Sequence, residues 1–117
     1  MTAAASPPEA QSEPTQVQLK KGVLELCVLA LLARGDNYAY EIASRLSRAI
    51  DMGEGTIYPL MRRIERAGLV ATYLVQSDSG PARKYYKLTK TGRAHLAALK
   101  AEWNSFARDV AAILGDS

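Results

Sequence analysis

The side chains best suited to chemistry on a polyanion lie close together in Gly55-Thr56-Ile57-Tyr58-Pro59-Leu60-Met61-Arg62-Arg63-Ile64-Glu65-Arg66. At helical period, Ile57, Leu60, Met61 and Ile64 share an apolar face, and Thr56, Tyr58, Pro59, Arg62, Arg63 and Arg66 fall on the other. A DNA major groove is wide enough to admit a helix whose basic, aromatic and hydroxyl side chains reach phosphates and base edges. The stretch is therefore expected to be a recognition helix. Thr56, Tyr58 and Arg62, near its start, should approach the DNA. Arg63 and Arg66 could instead pair with Glu65 or other acids. A solvated helix face is the commoner origin of an arginine cluster, but the neighbouring aromatic, hydroxyl and basic groups favour nucleic acid.

Charge supports this reading. Residues 45–93 hold ten Lys or Arg against four Asp or Glu, whereas residues 1–18 have only Glu9 and Glu13. Positive charge is thus concentrated mid-chain, as a polyanionic partner requires. Catalytic groupings are absent. His95 is the single histidine and has no Cys, His or paired carboxylate at metal-ligand spacing, so no metal site is expected. Cys27, the single cysteine, lies in an apolar run and reads as a buried structural thiol. With no Ser-His-Asp or Cys-His set and no Gly-rich phosphate loop, neither an enzyme nor a cofactor is expected. The longest apolar run is too short to span a bilayer and no signal peptide is visible, so a cytoplasmic protein with no membrane partner is expected.

The elements that must position these residues follow from punctuation and period. Residues 1–17 are rich in Ala, Ser, Pro, Glu, Gln and Thr and read as a disordered tail. A first helix is expected over 19–34, with Val23, Leu26, Cys27, Ala30 and Leu31 at helical spacing. Leu24, Val28, Leu29 and Leu32 widen its stripe, which suggests neighbours on two sides, one of them another subunit. Asp36 or Asn37 should cap a second helix over 38–49 that turns Tyr40, Ile42, Ala43 and Leu46 inward and Tyr38 outward. Pro59 is tolerated only in a first turn, which puts the start of the third helix near Gly55 or Thr56, with Thr56 as a candidate cap.

A polar turn at 77–82 separates two strand-like segments, 69–76 and 83–88, which should form a hairpin. Tyr86 and Leu88 fall on one face of the second strand, and Arg83, Tyr85 and Lys87 on the other. Thr89 should cap a last helix over 90–114. In it Leu96, Leu99, Trp103, Phe106, Val110 and Ile113 are spaced 3, 4, 3, 4, 3, a heptad seam suited to dimerisation.

This order is that of a mainly α winged helix-turn-helix with a small β-hairpin, followed by a C-terminal dimerisation helix. The expected divisions are a tail at 1–17, a DNA-binding domain at 18–89 and the dimerisation helix at 90–117. Gly35-Asp36-Asn37-Tyr38-Ala39-Tyr40-Glu41-Ile42, Gly55-Thr56-Ile57-Tyr58-Pro59-Leu60, Glu65-Arg66-Ala67-Gly68-Leu69-Val70 and Gly80-Pro81-Ala82-Arg83-Lys84-Tyr85-Tyr86-Lys87-Leu88-Thr89 resemble the PadR-like transcriptional regulators. The resemblance runs from about residue 19 to the C-terminus.

It implies a homodimeric repressor on a pseudo-palindromic operator, relieved by a small-molecule effector. Its short multidrug-sensing member stacks planar drugs on a tryptophan of the C-terminal helix, and Trp103 holds the similar place, which implies a planar aromatic effector. The expected DNA-facing set is Tyr38, Thr56, Tyr58, Pro59, Arg62, Arg63, Arg83 and Lys84. The alternative is a winged helix that binds an acidic protein and no specific DNA.

Overall fold

A computed structural model describes residues 23–52 and 54–115, and the backbone alone of Glu54. The tail at 1–17 and the expected helix start at residue 19 lie outside the described residues. The elements in order are α1 (Leu24–Arg34), β1 (Asn37–Tyr38), α2 (Ala39–Ile50), α3 (Glu54–Arg66), β2 (Val70–Val75), β3 (Arg83–Leu88) and α4 (Lys90–Leu114). Four helices therefore accompany a small antiparallel sheet of order β1-β3-β2.

The core joins all three parts of the domain. Leu24, Val28, Leu29 and Leu32 of α1 pack with Ile42, Ala43 and Leu46 of α2, Ile57, Leu60, Met61 and Ile64 of α3, and Val70, Tyr86 and Leu88 of the sheet. Met52, between α2 and α3, is buried there too, at 3 % exposure. In α1 the residues that widen the stripe are the ones that face this core. Leu26, Cys27, Ala30 and Leu31 are only half-buried. Both stripes are apolar, so period alone cannot say which one meets the protein's own core. Cys27 is accordingly half-buried rather than fully enclosed, though burial still pushes its thiol up, away from the thiolate form.

The third strand is where the structure departs most from the expected hairpin. Asn37 and Tyr38 pair with Tyr86 and Tyr85 of β3. A two-residue strand has no period by which it could be read. The pairing also removes both expected caps from α2. The Asn37 Oδ1 accepts the Tyr38 N–H at 2.9 Å, the Asp36 Oδ2 accepts the Tyr73 hydroxyl at 2.7 Å, and α2 begins after Tyr38 without a side-chain cap. Tyr40, expected inward, lies on the rim of the inner face and is 61 % exposed.

The α3 start also differs. The helix begins at Glu54, so Thr56 is inside it and is not its cap, and Pro59 falls in the second turn. Pro59 has no N–H to give the Gly55 carbonyl, four residues back, and its ring crowds that oxygen. Gly55 is exposed, so water can serve the carbonyl. The helix stops at Gly68, whose φ is +78°. The Gly68 N–H donates to the Glu65 carbonyl and the Leu69 N–H to that of Ile64, both at 3.0 Å, the paired closure that a left-handed glycine permits.

α4 is anchored at its first turn. The Thr89 Oγ1 accepts the Gly92 N–H at 2.9 Å, as the expected cap should, and donates to the Gly68 carbonyl at 2.7 Å. The Thr89 N–H donates to the Leu69 carbonyl at 3.1 Å. Gly92 is buried against that same carbonyl, leaving no room for a Cβ. Leu96 and Leu99 lie partly buried against the core. Beyond them the helix leaves the domain, and Phe106 and Ile113 are 63 % and 84 % exposed. No described helix is long and apolar enough to cross a membrane.

Candidate nucleic-acid interface

The buried positions of α3 orient the rest of it. At about 100° per residue, the side opposite Ile57, Leu60, Met61 and Ile64 carries Gly55, Pro59, Arg62 and Arg66. Tyr58 and Glu65 form the flank toward the hairpin, and Thr56 and Arg63 the flank toward α1. The contacts agree with this assignment. The Lys84 Nζ of β3 meets the Glu65 Oε1 at 3.2 Å, and the Arg63 Nη1 meets the Glu25 Oε1 of α1 at 2.7 Å.

The cations therefore divide into engaged and open ones. Arg62 and Arg66 are exposed, and among the described residues neither has a hydrogen-bond or ion-pair partner. Arg63 is held by Glu25, one of the acidic partners left open to it, and not by Glu65. Lys84 is held by Glu65 and lies 5.4 Å from the centre of the Tyr86 ring, and its hydrogen bond to Glu65 raises its pKa above the ordinary value. Thr56 is half-buried beside a hollow of about 360 Å³ that Glu25, Pro59, Arg63 and Arg66 also line. Tyr58 is half-buried and Pro59 exposed.

The hairpin separates two residues expected to act together. Tyr86 and Leu88 are buried as predicted, so by alternation Lys84 turns toward α3 and Arg83 toward the opposite face. On that outer face the Tyr38 and Tyr73 rings lie 5.4 and 5.8 Å from Tyr85, and the Arg83 Cζ stands 4.7 Å above the Tyr38 ring. The hydrogen bond to Asp36 pushes the Tyr73 phenol up. Tyr38 thus spends its ring on the sheet while remaining half-buried. Of the expected DNA-facing set, Pro59 and Arg62 share the outward side of α3, Thr56, Tyr58 and Arg63 flank it, and Tyr38 sits with Arg83 on the sheet.

Two further features lie outside the expected DNA-facing set. Arg66, already placed on the polar face of the stretch, completes the outward side. Glu25 had no such signal, because its carboxylate joins residues 38 and 70 positions away, Arg63 on α3 and His95 on α4. The His95 Nε2 lies 2.7 Å from the Glu25 Oε2. Burial raises the Glu25 carboxyl, but hydrogen bonds from Arg63 and His95 outweigh it and leave the group below its ordinary value. Glu25, Arg63 and His95 border a second hollow of about 500 Å³, closed by Leu26, Leu99, Glu102, Trp103 and Phe106. Trp103 is 43 % exposed there. Among the described residues no three His, Cys, Asp or Glu side chains are grouped to hold a metal ion.

A helix with an open basic side, packed on a helix-turn and followed by a three-stranded sheet, defines a winged helix-turn-helix. The model of the PadR-like family of transcriptional regulators matches residues 28–98, and the chain belongs to that family. Its members regulate transcription and are not enzymes. A PadR-like transcriptional regulator from Bacillus cereus shares 34 % identity, with 86 % of this chain and 99 % of that one covered and a TM-score of 0.76. A PadR family regulator from Eggerthella lenta shares 34 % identity over 84 % of this chain and 87 % of its own, with a TM-score of 0.75. An uncharacterized protein of Lysinibacillus sphaericus is 32 % identical over 87 residues, 71 % of this chain and 80 % of that protein.

Proposed function

We propose that this PadR-like regulator is a homodimeric, sequence-specific repressor whose α3 enters the major groove of a pseudo-palindromic operator. The observation that carries the reading is the outward side of α3, where Pro59, Arg62 and Arg66 are exposed and both arginines are open to a phosphate or base edge. Thr56 and Arg63 extend that surface on one flank and Tyr58 on the other. Lys84, once released from Glu65, together with Arg83 and Tyr38, would serve the flanking backbone.

Dimerisation is supported by two apolar surfaces that one chain leaves uncovered. One is the seam Trp103, Phe106, Val110 and Ile113 beyond Leu96 and Leu99. The other is the half-buried stripe of Leu26, Cys27, Ala30 and Leu31 on α1. A two-fold pairing through them sets the distance between two α3 helices, which must be roughly 34 Å to reach successive major grooves. The hollow beside Trp103 suits a planar aromatic effector that relieves repression.

Footprinting on the DNA upstream of the protein's own gene, with and without planar aromatic compounds, tests the reading. Two protected half-sites one helical turn apart are expected. Protection nowhere in that region, with no shifted band at low salt, would transfer support to a winged helix that docks an acidic protein.

A further inference from the structure

Glu25 is the one described side chain that touches both α3 and α4 through charged contacts. Its Oε1 meets the Arg63 Nη1 and its Oε2 meets the His95 Nε2, each at 2.7 Å. The pair of Glu25 and Arg63 is also the wall shared by two hollows. One opens on the Thr56, Pro59 and Arg66 surface of α3, and the other on His95 and Trp103. The two partners differ in freedom. Arg63 is 58 % exposed along its side chain and stands on the flank of the DNA-facing surface, whereas Glu25 is only 21 % exposed.

We infer that Glu25 links DNA binding to the protonation of His95: when Arg63 turns to a phosphate, Glu25 is left to His95, and the imidazole takes up a proton. The inference rests on the reading of α3 as the DNA-facing helix. An arginine exchanges a carboxylate for a phosphate at little cost, because both accept the same forked donors. The exchange leaves a half-buried carboxylate without its cation, and imidazolium is the remaining positive group within reach. Ionised Glu25 can only accept, so Nε2 already carries a hydrogen toward it. The incoming proton therefore comes from solvent and lands on Nδ1. The other charged residue lining the hollow with Glu25, Arg63 and His95 is Glu102 of α4, which also favours imidazolium. Linkage is reciprocal, so protonation of His95 frees Arg63 and strengthens DNA binding.

Since His95 is the chain's single histidine, its Cε1 proton gives an unobstructed NMR titration. The experiment uses the full chain, free and saturated with a 24-base-pair duplex of mixed sequence at low salt, whose phosphates suffice to draw Arg63 away. The His95 midpoint should rise on adding the duplex. Correspondingly, affinity should increase about threefold to tenfold per protomer for each pH unit lowered through the histidine range, approaching one proton taken up. Arg63→Gln should bind more weakly and lose the rise, while Arg62→Gln should bind more weakly and keep it. A midpoint unmoved by DNA would overturn the inference. So would an undiminished rise in Arg63→Gln, which would assign the effect to the phosphate field alone. A chain that binds no duplex at any pH would fail at the earlier step, removing the DNA reading and this linkage with it.

Discussion

Replacing Gly92 by alanine sets two effects of opposite sign against each other. In an isolated helix the change would stabilise by about 1 kcal/mol, because alanine is the better helix former. In this fold the new Cβ would press into the Leu69 carbonyl oxygen and come within 3.0 Å of the Leu69 carbonyl carbon and 3.1 Å of the Leu88 Cδ2. The first two are backbone atoms and cannot swing aside, and Leu88 is 4 % exposed in the core. The first turn of α4 must therefore lift. Lifting it strains the Thr89 cap and the Thr89 bonds to Gly68 and Leu69. Overpacking costs about 1–3 kcal/mol and a weakened cap about 1 kcal/mol more. After the propensity gain, a net loss of about 1–3 kcal/mol remains. At about 4–8 °C per kcal/mol, the Tm should fall by roughly 5–20 °C. Thermal melts followed by circular dichroism at matched protein concentration would measure this. A Tm unchanged or raised would mean that α4 does not bear on Leu69 as described.

Other substitutions separate the remaining roles. Arg62→Ala and Arg66→Ala should each weaken DNA binding and reduce the slope of log K against log salt by about 1, with the oligomeric state unchanged; sedimentation alongside anisotropy titrations would show whether either residue instead supports assembly. Phe106→Asp should shift the protein toward monomer in sedimentation while leaving the helical signal of the winged domain, and an intact dimer would count against the α4 seam. Titration with planar aromatic dyes should quench Trp103, the single tryptophan, and a flat response across a varied panel would remove it from effector binding. Because the folded-state pKa of Glu25 is depressed, its contribution to stability is present at neutral pH and is lost as pH falls through that lowered value. Glu25→Gln should therefore lower the Tm at pH 7 and lower it progressively less as pH falls below the ordinary carboxylate range, and an equal loss at every pH would contradict the ion-pair account.

Much of the fold was legible because it depends on local rules. Ile57, Leu60, Met61 and Ile64 announced the α3 core face by period, Tyr86 and Leu88 that of β3 by alternation, and Thr89 the start of α4 by capping chemistry. Local rules failed where two solutions were locally equivalent. The α1 stripes are both apolar, so which one faces inward depends on the partner. Asp36 and Asn37 are good caps, but the backbone of Asn37 is drawn into β1 and the side chain of Asp36 is taken by Tyr73. Tyr40 was misplaced because a spacing of three to Ala43 and again to Leu46 drifts off the core axis, and Ala39 packs against the core in its place.

The family was thus legible in four ordered motifs, and the outward surface of α3 in its spacing, since residue types at helical period settle which side can be buried and which must meet water or DNA. Which cations remain open was decided only by the tertiary structure. Ion pairs depend on distance in space rather than along the chain, and nothing local to Arg63 or His95 indicates that a carboxylate 38 and 70 residues away will meet both. The same folding that leaves Arg62 and Arg66 open ties Arg63 to α1 and, through Glu25, to the helix that carries Trp103.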